Sequence, residues 1–444
     1  MTDRKTSPPI NEKNKPLAIA LIALIALAGV RLFYWYLLEQ QVPTHIMEML
    51  GDEPLGLSRI FPFLVNHSAK NVLSQKWVRF FNQDATFYTS PVLGADGTLY
   101  LAAVQGRIIA LDRSSATKWE YRTDSYDFIS GGMFLDRAGN LYFATLTKVY
   151  SLSPDGQQRW MTQCSPAKLY QGDHGGTFDG DVMYVSCGNS FHALNKDVGS
   201  DIWSLPALDY ETSPVVRDGK IFAVRDQRVA AIGSDGVQLW AYPPTLHSPY
   251  DPRRASLNLP ENYIYTPLAF GADGTIYAGA RMVNKLVAID SQTGGLKWAF
   301  DAKVYAPFRS SPVVAADGTI YAQTMVGVAY AIDPDGSLKW TYQLPQTHSG
   351  DLHAAPTIGS DGTVYFVADS LVVALSPEGK PRGDFGLSGP SAGSPVLSPD
   401  GILYVATLEG NVFAIRTMSG GLMEAPWPKF QRDNSNSGRA ASIH

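Results

Sequence analysis

From Thr89 onward, apolar and polar positions alternate in short runs that return on a regular beat. Each unit opens with a small residue, often followed by proline, ahead of an apolar run. The openings are Ser90-Pro91-Val92, Gly132-Met133-Phe134, Gly176-Thr177-Phe178, Ser213-Pro214-Val215, Thr266-Pro267-Leu268, Ser311-Pro312-Val313, Ala355-Pro356-Thr357 and Ser394-Pro395-Val396. A bend at aspartate and an aromatic follow: Asp96 to Tyr100, Asp136 to Tyr142, Asp181 to Tyr184, Asp218 to Phe222, Asp273 to Tyr277, Asp317 to Tyr321, Asp361 to Tyr365 and Asp400 to Tyr404. A third run reads apolar-Ala-apolar, as in Ala288-Ile289-Asp290. A fourth ends on Trp119, Trp160, Trp203, Trp240, Trp298 or Trp340, and the seventh unit offers only Phe385. Alternation of this kind predicts strands. Asp-Gly between apolar runs predicts tight hairpins, because the bend needs residues that accept positive φ. The aromatic returns every 38 to 44 residues, with one interval of 55 from Phe222 to Tyr277. That is the period of a four-stranded propeller blade.

There are eight copies of the first three runs, and the eighth ends at Ile415 with no Lys-Trp run after it. A spare run, Gln75-Lys76-Trp77-Val78-Arg79-Phe80, precedes the first copy. The arithmetic closes if this N-terminal strand becomes the outer strand of the last blade, which removes the open seam of the ring. The predicted fold is therefore all-β: an eight-bladed propeller of four-stranded antiparallel blades over residues 74–415. A C-terminal tail occupies 416–444.

Residues 17–38, LAIALIALIALAGVRLFYWYLL, carry Arg31 as their sole charge and are long enough to cross a bilayer as a helix. Residues 1–16 hold Arg4, Lys5, Lys13 and Lys15, which puts the N-terminus in the cytoplasm by the positive-inside bias. Phe33 to Tyr36 fit an aromatic belt at the far interface. A cleaved signal peptide is the rival, with Ala26-Leu27-Ala28 as its cleavage site. Either way the large domain is exported, and the retained anchor makes it a single-pass inner-membrane protein with a periplasmic or extracellular propeller. The connector 39–73 is either a short amphipathic helix or an irregular stalk.

Composition narrows the chemistry. A net charge of -5 over 444 residues shows no basic field for nucleic acid. Two cysteines exclude a disulfide-built miniature fold and a CxxC zinc module. Cys164 follows the outer strand of the second blade and Cys187 ends the second strand of the third, so both reach one face of the disc. In an oxidising compartment they are expected to join; the alternative is two buried thiols. Stretches such as Asp333-Pro334-Asp335-Gly336 fall at the required bends and lack the terminal Glu of a calcium loop. No HExxH, GxSxG or Walker sequence occurs. His348, Asp351 and His353 share one loop, but no metal site is assigned.

The units at 273–300 and 317–342 resemble pyrroloquinoline-quinone-type (PQQ-like) propeller repeats, and the resemblance covers about residues 74 to 415. The tail segment Pro426-Trp427-Pro428-Lys429-Phe430-Gln431-Arg432-Asp433 resembles one found beside such repeats. The family implies that each Trp packs on the neighbouring blade and that the Gly before it makes the turn. It spans quinoprotein alcohol and glucose dehydrogenases, the cofactor-free propeller lipoprotein of the outer-membrane β-barrel assembly machinery, and other exported proteins. The dehydrogenases of this kind use adjacent cysteines, a calcium and an Asp base. Here no two cysteines are adjacent and no motif supplies the calcium ligands. No cofactor and no catalytic residue are therefore expected, with PQQ and calcium as the alternative. The leading expectation is a non-catalytic binding or scaffold module in envelope assembly; the departure from the assembly lipoprotein is a membrane helix in place of a lipidated cysteine. A glycan-binding propeller is the third reading.

The loops that pass from one blade's outer strand to the next blade's inner strand surround the central opening, and binding residues concentrate on such loops. Candidates there are Tyr88, Tyr126, Phe128, Tyr170, His174, Tyr210, Glu211, Tyr265, Tyr305, Arg309, His348 and Asp351, with Phe87, Tyr263 and Phe308 beside them. These rings either wedge between blades or line a funnel for a peptide, a sugar or a flat organic ligand. The long interval marks an insertion from Tyr242 to Ser256, whose Tyr250, Arg253 and Arg254 are the expected partner contacts.

Overall fold

The computed structural model describes residues 71–81, 85–123, 129, 132–164, 175–188, 190–206, 212–225, 227–243, 264, 266–280, 284–302, 307–345 and 354–440. The predicted segments 1–16 and 17–38, and the connector up to residue 70, lie outside them. Among the described residues no helix is long and apolar enough to cross a membrane.

Alternating apolar positions fold here into eight antiparallel sheets of four strands each. Seven are consecutive in the chain. Blade 1 runs from Val92–Leu93 to Thr117–Arg122, blade 2 from Phe134–Leu135 to Gln158–Gln163, blade 3 from Gly176–Asp179 to Asp201–Pro206, and blade 4 from Val215–Arg217 to Gln238–Tyr242. Blade 5 runs from Ala269–Phe270 to Leu296–Asp301, blade 6 from Val313–Val314 to Leu338–Gln343, and blade 7 from Thr357–Ile358 to Pro381–Gly386. Blade 8 takes three strands, Val396–Leu397, Ile402–Ala406 and Asn411–Arg416, from the end of the repeat and its outer strand, Ser74–Phe80, from the beginning. Trp77 lies opposite Ala414 and Val78 opposite Phe413. The predicted closure is the observed one.

Neighbouring blades are held by one contact that recurs around the ring. In blades 1 to 6 the repeat aromatic of the second strand packs on the outer-strand tryptophan, at centroid distances of 5.7 to 6.0 Å from Tyr100–Trp119 to Tyr321–Trp340. Trp77 and Tyr404 make the same pair across the closure at 5.8 Å. The indole then rests on a turn of the next blade. Trp119 donates to Pro154 O at 2.9 Å, Trp160 to Lys196 O at 2.9 Å, Trp203 to Ser234 O at 2.8 Å, Trp298 to Pro334 O at 2.8 Å and Trp340 to Pro377 O at 2.7 Å. Trp77 reaches Arg113 O of blade 1 at 3.2 Å. Trp240 packs likewise on Gly294, with no acceptor at its ring nitrogen among the described residues. Glycine suits the turn beneath the ring: at Gly156 φ is +85 and a Cβ would sit 2.5 Å from Trp119.

Blade 7 is the exception, because Gly383 stands opposite Ala374, where the other blades place the tryptophan. The chain just before the closing strand fills the gap. Val72 N donates to Arg382 O at 3.2 Å, Asn71 Nδ2 donates to Asp384 O at 2.8 Å, and Leu73 is buried. A Cβ on Gly383 would meet the backbone nitrogen of Val72 at 3.0 Å. The missing tryptophan and the N-terminal closure are thus one structural solution.

Every outer strand also carries a β-bulge at the residue before the tryptophan position. In most blades the bulged residue is a cation that meets the aspartate of its own first hairpin: Lys118–Asp96 at 3.0 Å, Lys297–Asp273 at 3.0 Å, Lys339–Asp317 at 3.3 Å, Arg382–Asp361 at 2.9 Å and Lys76–Asp400 at 3.8 Å. Arg159 meets the Tyr142 hydroxyl at 2.9 Å and Asp197 of blade 3 at 3.4 Å. Burial by itself would raise the Asp96 carboxyl, but hydrogen bonds from the Thr98 hydroxyl and amide and from Lys118 hold it at about 2. Asp273, Asp317 and Asp361 are held below the ordinary carboxylate range against the same burial, by Thr275, Thr319 and the pair Ser419 and Thr363.

The blade openings need one adjustment of register. In blades 3 and 5 the residue opposite the repeat aromatic is Thr177 and Ala269, so the aligned openings are Gly175-Gly176-Thr177 and Pro267-Leu268-Ala269. The small-residue–proline pair is therefore not the invariant; the strand partner of the aromatic is.

Two outcomes follow. Trp77→Ala should lower unfolding stability by about 2–4 kcal/mol, read from urea denaturation, since a half-buried ring and the ring closure are lost together. Because the hairpin carboxylates titrate lower in the folded chain than in the unfolded one, their stabilisation is complete above about pH 4 and disappears toward about pH 2. The urea midpoint should fall over that window.

Candidate functional site

The loop face is built from chain that leaves one blade's rim and enters the next blade's inner strand. Of the predicted residues there, Tyr126, Phe128, Tyr170, His174, Tyr210, Glu211, Tyr263, Tyr265, Tyr305, His348, Asp351 and His353 lie outside the described residues, as do the partner-loop residues Tyr250, Arg253 and Arg254. Those described divide cleanly. Phe87 is buried edge-on against Phe81 at 5.6 Å, and Phe308 is buried against Tyr330 at 5.6 Å. Both are wedges within the disc. Tyr88 is exposed and Arg309 half-buried.

Cys164 and Cys187 form a disulfide with their Cα atoms 5.9 Å apart, tying the end of blade 2 to the second strand of blade 3. The bond is buried at both cysteines. At the same end of the inner strands, serine hydroxyls stitch successive blades. Ser90 Oγ accepts from Ser394 N at 2.9 Å, Ser394 Oγ accepts from Ala355 N at 2.8 Å, and Ser213 Oγ accepts from Gly175 N at 2.8 Å.

The opposite face is organised by the C-terminal segment, which the sequence placed outside the propeller as a tail. Each inner strand turns a free edge toward the axis, and unpaired edge groups need partners. The tail supplies them. Leu93 N donates to Asn434 O at 2.9 Å, Leu135 N to Ser435 O at 2.9 Å, Val216 N to Gly438 O at 2.9 Å, Val314 N to Trp427 O at 2.7 Å and Ile358 N to Pro428 O at 2.8 Å. These amides are the same position of the repeat in blades 1, 2, 4, 6 and 7. Blade 3 contributes the Thr177 hydroxyl to Ser437 O at 2.7 Å, blade 8 accepts from Asn434 Nδ2 at Leu397 O at 2.8 Å, and blade 5 packs Phe270 at a tilt against Trp427, 5.9 Å between ring centres. The tail thus touches the inner strand of all eight blades and lies across the central opening.

Its interior holds Lys429, fully buried, with the ammonium donating to Phe430 O at 2.7 Å, Asp433 O at 2.9 Å and Asn436 Oδ1 at 2.6 Å. Burial pulls this lysine from 10.5 down to about 7, and the charge of Asp433 opposes the fall. Where the tail meets blades 2 and 3, a cleft of about 600 Å³ opens, lined by Phe178, Arg137, Lys196, Asp197, Arg432 and Arg439 among others.

Among the described residues no group of three His, Cys, Asp or Glu side chains is placed to hold a metal ion. Asp333 and Asp335 serve their turn: Gly336 N donates to Asp333 O at 2.9 Å and Ser337 N to Asp335 Oδ1 at 2.9 Å.

With this geometry in hand, a family model described as outer membrane protein assembly factor BamB matches residues 146–267. Among solved structures, BamB from Moraxella catarrhalis is similar with a TM-score of 0.59 and 16% identity, covering 78% of this chain and 100% of that one. A europium-containing methanol dehydrogenase is similar with a TM-score of 0.55 and 13% identity, covering 76% of this chain and 84% of that one. Identities this low establish shared fold. No curated protein sequence matches the chain. The disc has the fold of a PQQ-like propeller.

The unfolded chain binds a proton at Lys429 up to about 10.5, the folded chain only to about 7. Stability should therefore rise as pH increases between those values. Urea titrations of Lys429→Met should show that slope flattened, together with a loss of about 1–3 kcal/mol at neutral pH from the stranded acceptors.

Proposed function

We propose that this chain is a membrane-anchored, exported propeller that acts as a non-catalytic scaffold, binding a protein partner of the cell envelope on its loop face. The observation that carries the reading is the tail across the axis. The opening that could admit a ligand from the tail side is filled by Trp427 and Lys429, both fully buried, and by carbonyls bonded to the inner strands. Apart from the cleft where the tail meets blades 2 and 3, contact surface is left on the loop face and the rim, which is what a scaffold offers. The Cys164–Cys187 disulfide supports export, since such bonds persist in oxidising compartments. The name of the matched family model, an outer membrane assembly factor, supports an envelope role by analogy of fold. The anchor at 17–38 orients the disc outside the cytoplasmic membrane in this reading.

Among the described residues the donor set does not fit a quinone enzyme. The cysteines are joined at a sequence separation of 23 rather than adjacent. The hairpin aspartates have their oxygens engaged by Thr98 and Lys118, Thr275 and Lys297, Thr319 and Lys339. No step is assigned to a cofactor.

Affinity capture of the full-length chain from detergent-solubilised membranes, beside a variant lacking residues 243–256, tests the reading. The expected result is a defined protein partner that the deletion loses while its melting temperature holds. An unchanged set of captured proteins, or dye reduction on adding PQQ with calcium, would contradict it.

A further inference from the structure

Three departures from the repeat meet at the cleft between blade 2, blade 3 and the tail. In six blades the first hairpin closes by one bond, as from Gly97 N to Gly94 O at 2.9 Å and from Gly139 N to Asp136 O at 3.1 Å. The second residue of that turn is Ala95, Ala272, Ala316, Ser360 or Pro399 in the other five blades. In blade 2 it is Arg137. Its side chain is exposed, lines the cleft, and makes no hydrogen bond or ion pair among the described residues. The turn itself has no use for it.

The second departure is in blade 3, where Asp179 pairs with Val182 and the hairpin shrinks to Gly180 and Asp181. Phe178 lines the cleft there, half-buried, and a Cβ added to Gly180 would meet nothing within 4 Å. The third is in the tail. Gln431 and Arg432 are consecutive residues in the left-handed region, at φ of 55° and 74°. Non-glycine residues adopt it rarely, and such strain gathers at functional sites. Arg432 lines the cleft, its Nη1 donating to Arg439 O at 2.6 Å and its Nε and Nη2 meeting no acceptor among the described residues. The Arg439 guanidinium reaches only Asp179 among them, at 3.8 Å.

The carboxylates of the lining are engaged. Asp136 accepts from Ala138 N and Asn140 N, both at 2.9 Å, and from the Tyr142 hydroxyl at 3.0 Å. Asp433 accepts from Ser435 N at 3.0 Å and Ser437 N at 3.1 Å. Asp197 meets Arg159 at 3.4 Å and Lys196 at 3.6 Å. The cleft thus holds spare cationic donors beside acceptors already in use, which selects an anion.

We propose that this cleft, of about 600 Å³, binds a small organic phosphate monoester, its head held by Arg137, Arg432 and Arg439 and its apolar body lying on Phe178. The volume is that of a small-molecule site. Guanidinium forks match phosphate oxygens, and a tetrahedral head accepts from three directions where a planar carboxylate accepts in one plane. The site lies apart from the loop face and requires no protein partner, so it does not depend on the scaffold reading.

Calorimetric titration of the full-length chain in detergent, with phenyl phosphate as the probe, tests the site. Saturable binding that weakens with added salt is expected, tighter than for inorganic phosphate or benzoate and absent for benzyl alcohol. Arg137→Ala should keep the melting temperature, because the side chain makes no bond in the fold, and weaken phenyl phosphate at least about tenfold. Arg432→Gln should weaken it by a similar factor. Arg122→Ala, which removes an exposed arginine from the outer strand of blade 1, should leave the affinity unchanged. No saturable binding, equal affinity in Arg137→Ala, or benzoate or inorganic phosphate binding as tightly as phenyl phosphate would overturn the proposal. Capture of a protein partner from membranes is indifferent to each of these results, so the two readings fail separately.

Discussion

The disc depends on a single repeated contact: an outer-strand tryptophan lying between an aromatic of its own blade and a glycine turn of the next. Each indole buries apolar area on both sides and, in most blades, gives its N–H to a carbonyl of that turn. Because every blade leans on its successor, the ring is stable only when the last blade leans on the first. Trp77 completes that circuit by reaching Arg113 of blade 1 while packing on Tyr404 of blade 8. The one blade without the tryptophan is the one over which the N-terminal chain passes, so Gly383 and the strand entry at Asn71 to Leu73 form a matched pair.

The tail answers a different constraint. A closed propeller removes outer seams but still turns the edges of its inner strands toward the axis, and those amides cannot be left dry and unpaired. The C-terminal segment meets them with its own carbonyls and closes over a buried lysine whose three donors are all engaged. Ends of the chain that are far apart in sequence thus finish the same object, one at the outer strand of blade 8 and the other at the axis.

Much of this was legible in the sequence. The count of eight, the four strands and the use of the spare Lys-Trp run followed from the beat of one aromatic, which survives because its packing against tryptophan is a local requirement of each unit. The opening register of blades 3 and 5 was read one residue away, since proline marks the blade start only loosely and the partner of the aromatic marks it strictly. The tail's position was not legible. Its contacts are backbone bonds to edges contributed by separate blades, and such bonds leave no side-chain signature. Of the loop-face candidates, Phe87 and Phe308 belong to the packing of the disc, while Tyr88 and Arg309 remain on the surface side of it.

Amide hydrogen exchange on the full-length chain tests ring closure most directly. Backbone amides in Trp77–Phe80 should exchange as slowly as those of Asn411–Arg416, with which they are paired. Exchange of that N-terminal strand at the rate of open chain, while the blades stay protected, would contradict the account.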